Sequence, residues 1–138
     1  MLNHITLKIS DIKRSKKFYA AALAPLGYKL LIDKPQSAGF GYKGKISGRD
    51  FWIKKGAVSK TKSFGCLAFS AKDKKAVKDF YKVALKDGGR RNGAPGYRPK
   101  YHVGYYAAFV LDPDGYNIEA VFEDFKKLKK SGIPTRDW

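Results

Sequence analysis

The stretch HITLKISDIKRSKKFYAAALAPLG at residues 4–27 returns 62 positions later as CLAFSAKDKKAVKDFYKVALKDGG at residues 66–89. The dipeptide Phe18-Tyr19 lies over Phe80-Tyr81 in this alignment. Each copy has the pattern of an alternating apolar strand, an amphipathic helix and a closing glycine. A repeat of this length predicts two equivalent structural units within one chain.

Further strands are predicted after each helix. The first copy holds short β segments at 28–33, 38–42 and 50–54, and the second holds them at 90–92, 105–111 and 116–122, with a loop over 93–104. In the first strand, Ile5, Leu7 and Ile9 point one way, while His4, Thr6 and Lys8 point the other. A helix is expected to cover the apolar face of each sheet, which leaves the other two faces to meet each other.

These elements predict an α+β fold of two βαβββ modules, which form a curved eight-stranded mixed sheet with a central cup. The expected boundaries are a single domain over 1–124, with module one at 1–56 and module two at 63–124. A basic tail follows at 125–138.

Composition narrows the class of protein. A hydrophobic content of 43% favours a globular domain, and no apolar run approaches the roughly 20 residues that span a membrane. Cys66 is the single cysteine, so we expect a reducing, cytoplasmic location. The net charge of +17 comes mainly from scattered lysines, and no nucleic-acid-reading motif accompanies them. Nucleic acid is therefore an unlikely partner on sequence grounds.

Two polar residues stand out on the strands. Glu119 is one of two glutamates and His4 is one of two histidines in the chain. Because an unpaired carboxylate is costly in a core, Glu119 is expected on the cup side of the last strand, where it could join His4 as a metal-binding or acid–base pair. The alternative for each is a polar strand residue that meets solvent.

Several motifs resemble the vicinal oxygen chelate superfamily, in its glyoxalase, bleomycin-resistance and extradiol-dioxygenase-like branch. They are the first-strand His4 with its helix, NGAPG at 92–96, YHVGYYAAF at 101–109 and DPDGYNIEAV at 112–121, and the likeness covers about residues 2–123. The resemblance implies a glyoxalase-like fold, a small-molecule ligand and a homodimer.

In metal-dependent members the resemblance implies a divalent ion, Zn, Ni, Mn or Fe, held by the first and last strands of each module. The matching positions here are His4, Trp52, Cys66 and Glu119. Trp52 cannot bind a metal, and Cys66 stands where relatives commonly have histidine. The candidate metal ligands are thus His4, Cys66 and Glu119, and a site without metal stays an open alternative.

Other residues are candidates for contact with a ligand, with surface or packing roles as the alternative for each. They are Trp52, Asn92, Arg98, His102, Tyr105 and Tyr106. Asp112 and Asp114 are interpreted as turn formers.

Three functions are compatible with these residues, so the sequence leaves open whether the protein is an enzyme. The first is a metal-assisted lyase, isomerase or dioxygenase that acts on a small anionic oxygenated substrate, with Glu119 and His4 catalytic. The second is a metal-free, bleomycin-resistance-like protein that sequesters a small molecule. A weaker third is a charge-driven nucleic-acid binder.

Overall fold

Two copies of one element pattern make up the described chain. The computed structural model describes residues 2–42, 49–60 and 65–132. Its elements are β1 Ile5–Ile9, α1 Ile12–Leu23, a 3₁₀ turn Ala24–Leu26, β2 Tyr28–Lys34, β3 Ser37–Tyr42, β4 Phe51–Lys55, β5 Leu67–Ser70, α2 Lys74–Lys86, β6 Arg90–Tyr97, β7 Tyr105–Leu111, β8 Asn117–Glu123 and α3 Phe125–Lys130. The predicted α+β fold with two βαβββ modules is confirmed.

The eight strands are divided between two four-stranded mixed sheets, so they do not form one continuous sheet. Their strand orders are β1-β4-β3-β2 and β5-β8-β7-β6. In each sheet the first strand pairs in parallel with the last strand of its module, and the other neighbours are antiparallel. Consequently β1 and β5 are edge strands at equivalent positions.

Strand β6 is longer than the sequence predicted. It continues from Arg90 to Tyr97 through residues that were expected to form a loop. Its pairing with β7 shifts register between Arg91 and Gly93 and again between Gly93 and Gly96. Pro95 lies in the second shift, where an edge strand tolerates a residue without an N–H.

The helices begin in the same way in both modules. Asp11 accepts a hydrogen bond from the Arg14 N–H (3.0 Å), and Asp73 accepts one from the Ala76 N–H (2.7 Å). Each aspartate thus satisfies a first-turn donor that the helix itself leaves unpaired. The two helices pack against each other, and their apolar faces share one core across both modules.

The turn between β7 and β8 joins the modules as well as reversing the chain. The fully buried Asp112 accepts hydrogen bonds from the Tyr19 hydroxyl of α1 (2.5 Å), the Tyr116 N–H (2.8 Å) and the Asp114 N–H (2.9 Å). Burial raises the pKa of Asp112, although these hydrogen bonds act in the opposite direction. The turn role expected for Asp112 is therefore combined with a contact between modules.

The face of each sheet that lies opposite its helix, called the open face of that module, is exposed along its edge strand, whereas Ala107, Phe109 and Glu119 on the inner strands of module two are buried. His4, Thr6 and Lys8 are exposed on one sheet, and Ala68 and Ser70 are exposed on the other. Among the described residues these faces do not meet each other, because the modules of one chain join through their helix-covered core instead.

The segment after β8 is partly helical. The short helix α3 begins after Asp124, whose carboxylate accepts a hydrogen bond from the Lys127 N–H (3.3 Å). The last six residues of the predicted tail, 133–138, lie outside the described residues. Among the helices that the structure describes, none has the length and apolar character needed to cross a membrane.

Candidate functional site

Glu119 lies in the centre of the open face of module two. Its side chain is on the β8 face opposite the core residues Ile118 and Ala120, as the alternation predicts. The residue is only 2% exposed. The Tyr105 hydroxyl donates a hydrogen bond to Oε1, and the Cys66 thiol donates one to Oε2 over 3.2 Å.

The strand register explains why these three side chains meet. Glu119 is paired with Ala68 on β5 and with Phe109 on β7. Cys66 lies two residues before Ala68 on the same side of the edge strand. Tyr105 enters from the start of β7, on the same face as Phe109. Three strands therefore bring a carboxylate, a phenol and a thiol to one point.

Both donors to Glu119 hold their protons. Burial raises the pKa of the Cys66 thiol to about 11, and the hydrogen bond to Glu119 adds to this effect. Burial raises the pKa of Tyr105 as well, again followed by its hydrogen bond to Glu119. A thiol and a phenol with raised pKa values are neutral near pH 7. The two oxygens of Glu119 are consequently both acceptors.

A cationic side chain, Arg98, lies over Phe109, the cross-strand neighbour of Glu119. The Arg98 guanidinium carbon is 5.6 Å from the centre of the Phe109 ring, and Nη2 donates a hydrogen bond to the Ala94 carbonyl (2.5 Å). Because Phe109 is the cross-strand neighbour of Glu119, its ring carries the guanidinium over the open face. Arginine stays charged at any physiological pH, so this position favours an anionic group.

His102 belongs to the rim of the same site. Its Nε2 is 3.0 Å from Oε2 of Glu123, and its ring meets the Tyr105 ring edge-on with centres 5.1 Å apart. Glu123 was not among the residues selected from the sequence. The signal was present, since Glu123 follows Glu119 by four residues and therefore shares its face in a strand.

The remaining candidates lie elsewhere. Tyr106 is in the core, 7% exposed, and stacks edge-on against Tyr97. The exposed Asn92 donates a hydrogen bond to Asn117 (3.0 Å). Trp52 lies on the open face of module one, where its Nε1–H donates to the Arg49 carbonyl (3.1 Å).

His4 is separated from the carboxylate that the resemblance pairs it with. It is exposed beside β1 in the other sheet, and its Nδ1 is 2.9 Å from Oδ1 of Asn3. Cys66 and Glu119 are brought together, but as a protonated thiol that donates to a carboxylate. Within residues 2–42, 49–60 and 65–132, no group of three His, Cys, Asp or Glu side chains is arranged to hold a metal ion. The donor set of these residues therefore does not fit a divalent metal.

Comparisons with known proteins agree with this architecture. A sequence model of the Glyoxalase/Bleomycin resistance protein/Dioxygenase superfamily matches residues 1–120. The chain is similar to a glyoxalase/bleomycin resistance protein from Albidiferax ferrireducens T118, with 25% identity, a TM-score of 0.72, and coverage of 86% of this chain and 95% of that one. Among curated proteins, no sequence matches.

Two further solved structures extend the comparison. Glyoxalase I from Zea mays is 27% identical with a TM-score of 0.71; the match covers 98% of this chain but 50% of that one. A glyoxalase/bleomycin resistance protein/dioxygenase family enzyme from Burkholderia phytofirmans PsJN is 21% identical, with a TM-score of 0.66 over 88% of this chain and 98% of that one, which is a likeness of fold. This chain thus spans about half the length of the maize protein.

Proposed function

Because the chain belongs to the glyoxalase/bleomycin resistance protein/dioxygenase superfamily, we propose that it acts on a small anionic molecule with neighbouring oxygen atoms. The site is the open face of module two, and Glu119 is its base. One observation carries the proposal: a buried carboxylate accepts hydrogen bonds from two neutral donors on the face opposite the helix, next to the exposed edge strand β5. Such an acceptor is suited to take a proton from a bound molecule.

Arg98 supplies the preference for an anion. Its guanidinium lies over Phe109, which is the cross-strand neighbour of Glu119, and Arg98 is only partly exposed. A carboxylate or phosphate bound to Arg98 places the adjoining carbon and its oxygens towards Glu119. The net charge of +17 attracts such anions to the whole protein.

The chemistry that these residues support is a proton shift next to a carbonyl group. Glu119 removes a proton from the carbon beside the carbonyl, and the C–H electron pair moves onto the carbonyl oxygen as an enolate. Negative charge thereby leaves Glu119, so the Tyr105 hydroxyl loses its charged acceptor and can donate to the enolate oxygen instead. Where the deprotonated carbon carries a hydroxyl group, transfer of the hydroxyl proton to the enolate oxygen and return of the first proton from Glu119 to the former carbonyl carbon complete an isomerisation.

We also propose that two copies form a homodimer that covers the open faces. The exposed first-strand residues of module one and the site of module two both lie on these faces. A chain of twice this length, such as maize glyoxalase I, has room for two such units, which supports the pairing. A second copy would place polar groups of module one, including His4, opposite Glu119.

Isotope exchange tests the role of Glu119. Pyruvate, 2-oxobutyrate and hydroxypyruvate are incubated with the protein in D₂O, and the exchange of the protons beside the carbonyl is followed by NMR. We expect exchange with at least one acid, lowered about 100-fold or more by Glu119→Gln because the base is lost. Glu123→Gln, the matched change of the other glutamate, should keep the exchange.

Two results would contradict this function. One is equal exchange by the wild type and Glu119→Gln. The other is the absence of both exchange and amide shift changes on β7 and β8 for every acid tested.

Arg98→Ala should raise KM while leaving kcat close to its original value, since it acts on binding of the anion.

A second candidate function is binding without chemistry, and Trp52 supports it. A Cβ atom on Gly39 would lie 3.0 Å from the Trp52 ring, so the indole rests on the β3 backbone of module one. Lys8 and Lys54 are paired on the same face. A flat aromatic surface beside two cations favours a planar anion. Under this alternative Trp52→Ala weakens ligand binding, whereas Glu119→Gln leaves it unchanged.

Metal analysis separates both proposals from a metal-dependent enzyme. Protein purified without chelators or a polyhistidine tag is expected to hold no stoichiometric divalent ion, because one chain lacks a fitting donor set. A stoichiometric ion that is lost in both His4→Ala and Glu119→Ala would show that the donors assemble between copies, and would replace the proton-shift proposal by a metal-assisted one.

A further inference from the structure

We propose that a groove between the two modules is a second binding site, which takes a small aromatic acid that carries a hydroxyl group. The groove has a volume of about 570 Å³, within the range of small-molecule sites. Its lining includes Pro25, Tyr28, Tyr42, Phe69, Ser70 and Lys72. It runs along the free edge of β5, on the other side of that strand from Glu119.

The equivalent strand in module one, β1, shows which backbone groups point to the free edge of such a strand. In β1, the Ile5 N–H donates to the Asp50 carbonyl (2.8 Å) and the Ile9 carbonyl accepts from the Gly56 N–H (3.0 Å). Odd-numbered residues of β1 therefore bond towards β4. Backbone groups alternate in direction along a strand, so the Lys8 carbonyl and the Ser10 N–H point to the free edge.

Module two supplies partners for both of these groups. The Tyr116 hydroxyl donates to the Lys8 carbonyl (2.8 Å), and the Asp114 carboxylate accepts from the Ser10 N–H (3.0 Å). The same carboxylate is 3.1 Å from Nη2 of Arg14. The free edge of β1 is thus closed by a phenol and a carboxylate that lie side by side, and the carboxylate has a cation next to it.

The repeat places the same two backbone groups at the edge of β5. The Ala71 N–H donates to the Val121 carbonyl (2.7 Å), which gives β5 the same alternation. Shifted by 62 positions, Lys8 and Ser10 correspond to Ser70 and Lys72, and both of these residues line the groove. Within the described ranges, neither the Ser70 carbonyl nor the Lys72 N–H has a hydrogen-bond partner.

The β5 edge therefore presents the same two backbone groups as the β1 edge, a carbonyl and an N–H. At β5 an external ligand takes the place of Tyr116 and Asp114 as their hydrogen-bond partner. A ligand hydroxyl donates to the Ser70 carbonyl, and a ligand carboxylate accepts from the Lys72 N–H. The Lys72 ammonium takes the place that Arg14 has in module one. In the ligand one aromatic ring carries both the hydroxyl and the carboxylate, whereas at the β1 edge these groups belong to Tyr116 and Asp114.

Aromatic side chains form the walls of the groove. Tyr28 meets Phe69 edge-on at 5.2 Å and Tyr42 at 6.1 Å between ring centres. A Cβ atom on Gly27 would lie 2.4 Å from the Tyr42 ring, so this wall is built directly against the glycine backbone. Edge-on and offset contacts with these rings stabilise an aromatic ligand.

Binding of 3-hydroxybenzoate, measured by NMR titration and calorimetry, tests this site. Benzoate lacks the hydroxyl and phenol lacks the carboxylate, so each should bind about tenfold more weakly. The amides of Gly27, Ser70 and Lys72 should shift on binding. Lys72→Gln should weaken binding about tenfold. Lys29→Gln removes an equally exposed lysine that does not line the groove, and should leave binding unchanged.

Three outcomes would overturn the proposal. They are equal binding of 3-hydroxybenzoate and benzoate, equal affinities of Lys72→Gln and Lys29→Gln, and amide shifts centred on Tyr105 and Glu119 instead of Lys72. Glu119→Gln should keep the affinity for 3-hydroxybenzoate while losing proton exchange, so failure of this site and failure of the proposed function are measured separately.

Discussion

The open faces of the two sheets occupy equivalent positions of the repeat and carry different chemistry. In module one, neighbouring strands place Thr6, Trp52 and Gly39 side by side. In module two, the same positions hold Ala68, Glu119 and Phe109. In module one the large ring, Trp52, lies on the last strand β4. In module two the large ring, Phe109, lies on β7, the antiparallel neighbour of the last strand.

This exchange of large and small side chains decides what each face can bind. In module one, the indole of Trp52 covers Gly39 and offers a flat aromatic surface. In module two, the ring of Phe109 supports the Arg98 guanidinium and leaves the last strand free for a carboxylate. One backbone arrangement, used twice, therefore supports stacking on one face and acid–base chemistry on the other.

The largest expected difference between the modules is in the free energy of unfolding that is lost when the equivalent helix tyrosines are changed. Tyr19 of α1 and Tyr81 of α2 are equivalent, but only the Tyr19 hydroxyl bonds to the buried Asp112. Tyr19→Phe leaves that carboxylate with one donor fewer and should lower the free energy of unfolding by about 2 kcal/mol. Tyr81→Phe should lower it by less than about 0.5 kcal/mol. Urea denaturation measures both, and equal losses would show that the hydrogen bond does not join the modules.

The second difference concerns Cys66, which stands where module one has His4. Removing the charge of Glu119 removes two of the three causes that raise the pKa of the thiol, while burial remains. In Glu119→Gln, alkylation of Cys66 by iodoacetamide at pH 8 should be several-fold faster, about three- to tenfold, because more thiolate is present. Glu123→Gln serves as the control. An unchanged rate would place Glu119 too far from the thiol to affect it.

The smallest expected effect is on stability at alkaline pH. The Cys66 pKa is about 11 in the folded chain against an ordinary value of 9.0, so the unfolded chain loses this proton first as pH rises. Stability from this group is complete below pH 9 and decreases between pH 9 and 11. Cys66→Ser should reduce that decrease, while His4→Ser should not. The loss of stability is measured from the urea midpoints at pH 8 and pH 10.5. Identical declines in the wild type and Cys66→Ser would contradict the assignment to Cys66.

Much of the fold could be predicted from local patterns. The period-two strands and the two amphipathic helices follow from neighbouring residues, and the structure confirms the two modules. The extension of β6 through Gly93 and Pro95 was missed, because bulges in an edge strand depend on its partner strand. The position of Glu119 opposite the core side of β8 followed from alternation together with the cost of burying an unpaired carboxylate in a core.

The composition of the site was less predictable. Tyr105 and Arg98 were candidates among several aromatic and polar residues, and nothing local distinguished them from Tyr106 or Asn92. What separates them is strand register, which brings Tyr105 to Glu119 and sets Arg98 on Phe109, while Tyr106 turns into the core.

By itself, the sequence determined that this chain is a doubled βαβββ unit with a carboxylate on one open face. Periodicity is a property of neighbouring residues and needs no tertiary contact to be recognised. Only the tertiary structure decided that the modules join through their helices and through Asp112. It also decided that, among the described residues, the open faces do not meet each other, and that the edge of β1 is closed while that of β5 borders a groove. Those outcomes depend on residues 93 to 108 positions apart, which meet only when the two copies pack in one particular way.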